Sequence, residues 1–355
     1  MANLTNQLVK SISVYKYSVP FEPGVKIRDV NFTRRNGVLI KVTDYMGRIV
    51  WGEIAPISNS IADIDMCVRE ILNLKCGVST PSFLEILNWT SIPAVKFGLY
   101  GAMKNLEWNV RLNSEHIVQL DHFVNVNALL IDEHGFFSKI EQLYEKGFKV
   151  FKLKIDEKVN YKDLVSRLEK IRIEGLGLIV DFNRNFELGT AVRVANDLSG
   201  IGYLMYIEDP VKRIGELELF IDNTEVNIGV DEFLLSDWKI VEGYLEGYRD
   251  RLIMVVKPSV LFGTECWDRV INDPSLRKVF TSCWEIGVGT RTVLMISYEI
   301  NGGEVHTGVN TYSYIKDDIC MPHLDVEKPK ITIREIVTPI SIDETKLEYL
   351  GEVNI

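Results

Sequence analysis

The sequence predicts a closed (β/α)8-type barrel, an α/β fold, preceded by an α+β unit. Three observations carry this reading. Short apolar strands alternate with helical stretches between about residues 124 and 310, and the strand candidates number eight. The chain before them follows another rhythm, β-rich runs and then helices. Eight strand-helix units within about 200 residues fit a closed ring better than an open doubly wound sheet, which has fewer strands. At 355 residues, 46% of them apolar, the chain has the material for a sizeable core.

In order, "ISVYKYSVP" (12–20), "GVLIKVTD" (37–44) and "IVWGEIAP" (49–56) are β-rich runs broken by Gly, Pro and Asp, and read as an antiparallel sheet. "IADIDMCVREIL" and "PAVKFGLYGAMKNLEW" space their apolar residues by three and four, as helices do. The barrel strands are then "VNALLI" (126–131), "KVFKLKI" (149–155), "LGLIVDFN" (176–183), "YLMYIED" (203–209), "NIGVDEF" (227–233), "RLIMVVKP" (251–258), "KVFTSCW" (278–284) and "EVHTGVN" (304–310). "KPKITIREIVTPISI" (328–342) returns to strand-like alternation and is expected to pair back onto the N-terminal sheet. The expected division is residues 1–120, 121–322 for the barrel, and 323–355 returning to the first unit.

Composition narrows the partners. A net charge of −10 with no Lys/Arg stripe argues against a nucleic-acid footprint. No apolar run reaches the roughly 18 residues of a membrane span, and the opening lacks the apolar core of a secretion signal, so a cytoplasmic protein without a membrane partner is expected. The five cysteines are odd in number and widely spaced, which suits reduced thiols. A small molecule is the expected partner, and the sequence does not choose between monomer and homo-oligomer.

Barrel active sites lie at the C-terminal ends of the strands, so polar residues there are the candidates. Strand two ends in Lys152 and Lys154, three in Asp181 and Asn183, four in Glu208 and Asp209, five in Asp231 and Glu232, six in Lys257. From Lys154 through Asp181, Glu208 and Asp231 to Lys257 the steps are 27, 27, 23 and 26 residues, one strand-helix unit each. Asp181, Glu208 and Asp231 thus offer oxygen ligands at one height on neighbouring strands, suited to Mg²⁺, with Mn²⁺ as a substitute. Strands two and six are opposed in an eight-membered ring, which sets Lys154 and Lys257 on either side of the pocket. A lysine near its ordinary pKa of about 10.4 is a poor base, but a neighbouring ammonium, Lys152, and a nearby cation would push Lys154 down. Such a site is built to remove a proton beside a carboxylate while the metal stabilises the enediolate.

In this order and spacing, "KLK", "DFN", "IEDP", "VDE" and "VKPS" resemble the muconate-lactonizing branch of the enolase superfamily, whose pattern is K-x-K, D-x-N, E-[DE]-P, D-E and K. The resemblance implies an enolase-like, modified TIM barrel under an N-terminal α+β capping domain. "GVKIRDVNFTRRNGVLIKV" followed by "WGEIAPI", and then "PAVKFGLYGAM", are similar to the caps of o-succinylbenzoate synthases of the enterobacterial type. That family dehydrates 2-succinyl-6-hydroxy-2,4-cyclohexadiene-1-carboxylate in menaquinone synthesis. By resemblance Lys154 is the base, Asp181, Glu208 and Asp231 hold Mg²⁺, and Lys257 stabilises the enediolate from the other face.

The resemblance also implies substrate contacts. Gly308 matches a glycine that lets backbone approach the succinyl arm, and Arg28 lies in the loop that covers the pocket; it reads either as a partner of a substrate carboxylate or as a surface cation, while Asn183 reads as orienting metal waters or Lys152. "TSCWEIGVG" departs from the relatives' serine-rich run, keeping Ser282 with Cys283 and Trp284 beside it, so the arm is expected to be held differently. Glu53 reads as cap structure and His306 as a wall residue. Two alternatives stay open: an N-acylamino acid racemase or dipeptide epimerase using both lysines, and an anion-binding barrel without catalysis, which would lack a base or a metal ligand.

Overall fold

The computed structural model describes residues 8–27, 30–74, 81–112, 120–130 and 133–355, with backbone alone at 26, 27, 30 and 133–135. The N-terminal unit is a four-stranded antiparallel sheet in which β1 (Val9–Ile27), β2 (Val30–Asp44) and β3 (Ile49–Ile54) run side by side and Glu348–Asn354 pairs with the outer edge of β1. Alternation along the strands divides their side chains between two cores. Ile12, Val14, Val38, Ile40 and Val42 pack on the helices Ile61–Leu72 and Pro93–Leu112. Tyr17, Val19, Leu39 and Trp51 point the other way, into the core shared with the barrel. Both faces being covered explains the near-continuous apolar run in β2. A Cβ on Gly52 would stand 2.0 Å from the Gly98 carbonyl oxygen, so the close seating of β3 on the second helix requires glycine there.

The barrel has seven parallel strands in sequential order: Ala128–Leu130, Val150–Lys154, Gly177–Asp181, Leu204–Glu208, Ile228–Val230, Leu252–Val256 and Arg277–Phe280. Six fall within predicted strands, and Arg277–Phe280 begins one residue before the predicted run 278–284. The eighth, expected over 304–310, contracts to two bridges, Thr307 to Val126 and Gly308 to Thr281, which join the last strand to the first. The chain turns at Gly302 and Gly303, both at positive φ, and enters a 3₁₀ turn at Asn310–Tyr314, leaving little extended length between them. Its backbone still bonds both neighbours: Thr307 N donates to Asn125 O and Gly308 N to Phe280 O, each at 2.8 Å.

The C-terminal expectation needs one correction. Lys330–Thr332 pairs with Phe123–Asn125, just before the first barrel strand, Ser341–Ile342 pairs with Cys320–Met321, and only the later Glu348–Asn354 reaches the N-terminal sheet. No described helix is long and apolar enough to cross a membrane. Cys67, Cys266, Cys283 and Cys320 are buried free thiols.

Candidate active site

Period-two alternation builds the site. Val150, Ile179, Tyr206 and Val255 meet inside the ring as an apolar floor. Two residues further along the same strands stand Lys152, Asp181, Glu208 and Lys257, so one pleat separates the dry floor from the charged layer. Adjacent strands are in register there, with Lys154 opposite Asp181 and Asp181 opposite Glu208. Above them opens a cavity of about 930 Å³. It is lined on one side by Lys152, Lys154, Asp181, Asn183, Asp231 and Lys257, and on the other by Ser282, Cys283 and Gly308. Glu208 lies behind Lys152, almost wholly buried. Arg28 lies outside the described residues.

The ammonium groups sit on the carboxylates. Lys152 Nζ is 2.9 Å from Asp181 Oδ2 and also bonds Glu208, while Lys257 bonds Asp231. Lys154 Nζ stands 3.5 Å from Asp181 Oδ2 and donates to Asn183 Oδ1 at 3.3 Å. Asn183 therefore meets Lys154, where the sequence pointed to metal waters or Lys152. The Lys154 side chain is 37% exposed against 13% for Lys152 and 16% for Lys257, so it is the amine that projects furthest into the open cavity.

Burial works against the charge on Lys152, but Asp181, Glu208 and Asp231 outweigh it and hold the ammonium well above the ordinary lysine range. Lys257 is raised in the same way, against its burial, chiefly by Asp231. Burial would raise Asp181, yet Lys152 and Lys154 hold it well below the usual carboxylate range. Glu208 is pushed up, first by burial and then by Asp181 and Asp231, although Lys152 pulls the other way. Three acids crowded in a dry layer call for added positive charge.

Among the described residues no three His, Cys, Asp or Glu side chains converge as a finished metal cluster, because the lysines occupy the facing carboxylate oxygens. The donor chemistry nonetheless fits a hard cation: oxygen atoms alone, on three consecutive strands, with Asp231 Oδ1 buried and without a hydrogen-bond partner.

Asp209 holds more of the site than its sequence reading gave it. Its carboxylate accepts from the N–H groups of Asp231 at 3.0 Å and Glu232 at 2.9 Å, and so fixes the turn that aims Asp231. Burial, reinforced by the Asp231 charge, pushes it up to about 7. Its own φ of +43°, outside the usual range for a residue with a side chain, falls where the strand Leu204–Glu208 ends.

The opposite wall is built from strands seven, eight and one. Ser282 Oγ bonds Thr311 Oγ1 and donates to Gly308 O at 3.3 Å. A Cβ on Gly308 would lie 2.7 Å from Thr281 Oγ1, so the glycine permits that close approach. Cys283 is buried, and burial first, then Glu285, pushes its thiol up to about 12, which makes it packing and not a nucleophile. Sequence reasoning missed Asn127 and Tyr314 in the lining. Asn127 carried a signal: an amide on the inward parity of strand one, two residues before Leu129.

Comparison with known proteins follows this division of the chain. A family profile described as "Enolase C-terminal domain-like" matches residues 136–250, and one described as "MenC, N-terminal domain" matches residues 9–106. The o-succinylbenzoate synthase of Haemophilus influenzae is 24% identical over 341 residues, covering 91% of this chain and 98% of its own. Among solved structures, a dipeptide epimerase from Cytophaga hutchinsonii, complexed with Mg and the dipeptide D-Ala-L-Val, superposes with a TM-score of 0.72 at 14% identity, covering 98% of this chain and 100% of that one. An o-succinylbenzoate synthase from Thermosynechococcus elongatus with Mg in its active site gives 0.66 at 20% identity, over 88% and 95%. At these identities the superpositions establish the fold, a modified TIM barrel with an N-terminal cap.

Proposed function

We propose, for a chain that belongs to the enolase superfamily and carries a MenC-type N-terminal domain, that its site dehydrates 2-succinyl-6-hydroxy-2,4-cyclohexadiene-1-carboxylate to 2-succinylbenzoate, the o-succinylbenzoate synthase step of menaquinone synthesis. The supporting observation is the pair of lysines on opposed strands, Lys154 and Lys257, in one cavity with Asp181 and Asp231, and with Glu208 buried behind them. Similarity to a named synthase along nearly the whole chain supports the choice of reaction.

Lys154 takes the proton from the carbon beside the substrate carboxylate. The electrons of that C–H bond move onto the carboxylate as an enediolate, then return to form the ring double bond as the C–O bond of the neighbouring hydroxyl breaks on the same face, and the Lys154 ammonium gives its proton to the departing hydroxide. Lys257 faces the developing enediolate from the other side. Asp181, Glu208 and Asp231 hold Mg²⁺, or Mn²⁺ in its place, which when bound neutralises the carboxylate and the charge that gathers on it. Lys152 keeps two of these carboxylates compensated. Ser282 and Gly308 border the succinyl arm.

Purified protein with Mg²⁺ and the cyclohexadiene acid is expected to release the aromatic acid, followed by its absorbance. No product from folded, Mg²⁺-loaded protein would remove this reading. The opposed lysines also favour a second activity, racemisation of an N-acylamino acid or epimerisation of a dipeptide. Exchange of the α-hydrogen for solvent deuterium at comparable efficiency would place it first.

A further inference from the structure

Trp284, at the end of strand seven, adopts φ +68°, a backbone region that bulky residues rarely enter. Its indole lies edge-on between Phe21 of β1, with ring centroids 5.5 Å apart, and Tyr314, at 5.6 Å, and it lines the cavity. The turn directs its carbonyl oxygen away from the cavity to Arg35 of β2, whose Nε donates to it at 3.0 Å.

Arg35 is built for that contact. It is 1% exposed, and its Nη1 donates to Pro56 O at 2.9 Å. The backbone on either side of Trp284 is pinned as well, by carboxylates. Glu285 accepts from Cys283 N, and Glu53 accepts from Ile286 N at 3.0 Å and Gly289 N at 2.7 Å. With both flanks fixed, the guanidinium decides which way the peptide after Trp284 faces, and hence where the indole stands. Backbone strain that persists at a cavity needs this kind of over-determination.

We propose that Arg35 is a positioning residue that locks the left-handed turn at Trp284, and that Trp284 is a specificity-determining wall for the cyclohexadiene ring of the substrate, which rests on the reading above. An aromatic edge between two further aromatics offers a ring a rigid apolar contact. A flexible acyl chain gains less from it.

Trp284→Gly tests the wall without penalising the turn, because glycine tolerates the same φ. Its KM for the cyclohexadiene acid should rise about tenfold with a smaller change in kcat, and Trp284→Phe should recover most of that loss. Arg35→Lys keeps the charge but not the fork, and should raise KM in the same direction. On the Trp284→Gly background it should add nothing. Urea unfolding of the same four proteins reads the lock without substrate, with an expected coupling of about fivefold or more in the unfolding constant. Additive effects of Arg35→Lys and Trp284→Gly on unfolding would overturn the lock, and an unchanged KM in Trp284→Gly would overturn the wall. A wild type that forms no product would sink the proposed reaction instead, while the urea cycle still decides whether Arg35 holds Trp284.

Discussion

At the scale of single residues, the charged layer makes sharp demands. If Lys154 is the base, Lys154→Ala loses about 10³-fold in kcat or more, while Mg²⁺ binding measured by calorimetry survives. Appreciable turnover in that variant would exclude it. Asp209 acts through Asp231, whose N–H it holds. Asp209→Asn is therefore expected to weaken Mg²⁺ about tenfold to a hundredfold, as loss of a ligand's supporting partner does, with an unchanged circular dichroism spectrum. The lysines, the three acids and their order were legible in the sequence because strand periodicity and repeat length are arithmetic. The partners of Lys152 were not. That its amine would meet Asp181 and Glu208, and Asn183 would meet Lys154, depends on side-chain torsions that spacing does not encode.

At the scale of elements, the helix Gly287–Asn301 joins the cap to the barrel. Its first turn is gripped by Glu53 from β3 and by Asp318, whose Oδ2 accepts from Gly287 N at 2.9 Å. Both acids occupy a helix N-terminus, where negative charge is favoured, but burial dominates for Glu53 and pushes it up to about 8 from its ordinary 4.5. Below 4.5 the folded and unfolded chains both hold this proton. Between about 4.5 and 8 the unfolded chain releases it while the folded one keeps it, so stability falls as pH rises, and the loss ends above 8. Glu53→Gln should remove a slope on the order of 1.4 kcal/mol per pH unit in that window, seen as a widening stability advantage over its own low-pH offset. Parallel wild-type and variant curves would contradict it.

The bridges of Thr307 and Gly308 give a second element-level expectation. Gly308→Ala forces a methyl towards Thr281 Oγ1 and should cost about 1–3 kcal/mol of stability along with kcat/KM, both measurable on purified protein. The sequence revealed eight units, but it overstated the last one. Apolar alternation shows where a strand could run, and the flanking turns at Gly302 and Asn310 decide how much of it does.

At the scale of the whole molecule, the cap and barrel were legible as two rhythms, and the hydrophobic pattern of β2 held the sign of their union, since apolar residues of both parities mean two covered faces. What joins them, the Arg35 fork and the Glu53 cap on a distant helix, was hidden because each partner lies more than 200 positions away. The crowding of acids also has a global consequence. Mg²⁺ that binds the folded site alone should raise the free energy of unfolding, by about 2.7 kcal/mol at a hundred times its Kd, and Asp231→Asn should diminish that rise. An equal shift in this variant would place the cation elsewhere.

The last strand, Glu348–Asn354, lies along β1, with Ser13 Oγ donating to Glu352 across 339 positions of chain. On the ribosome this imposes an order of birth. The outer edge of β1 emerges before the barrel and must wait, with its peptide groups open to any other strand, until the barrel strands have been made. The cap is completed only after the barrel it covers, and its open edge is most exposed to mispairing during that interval.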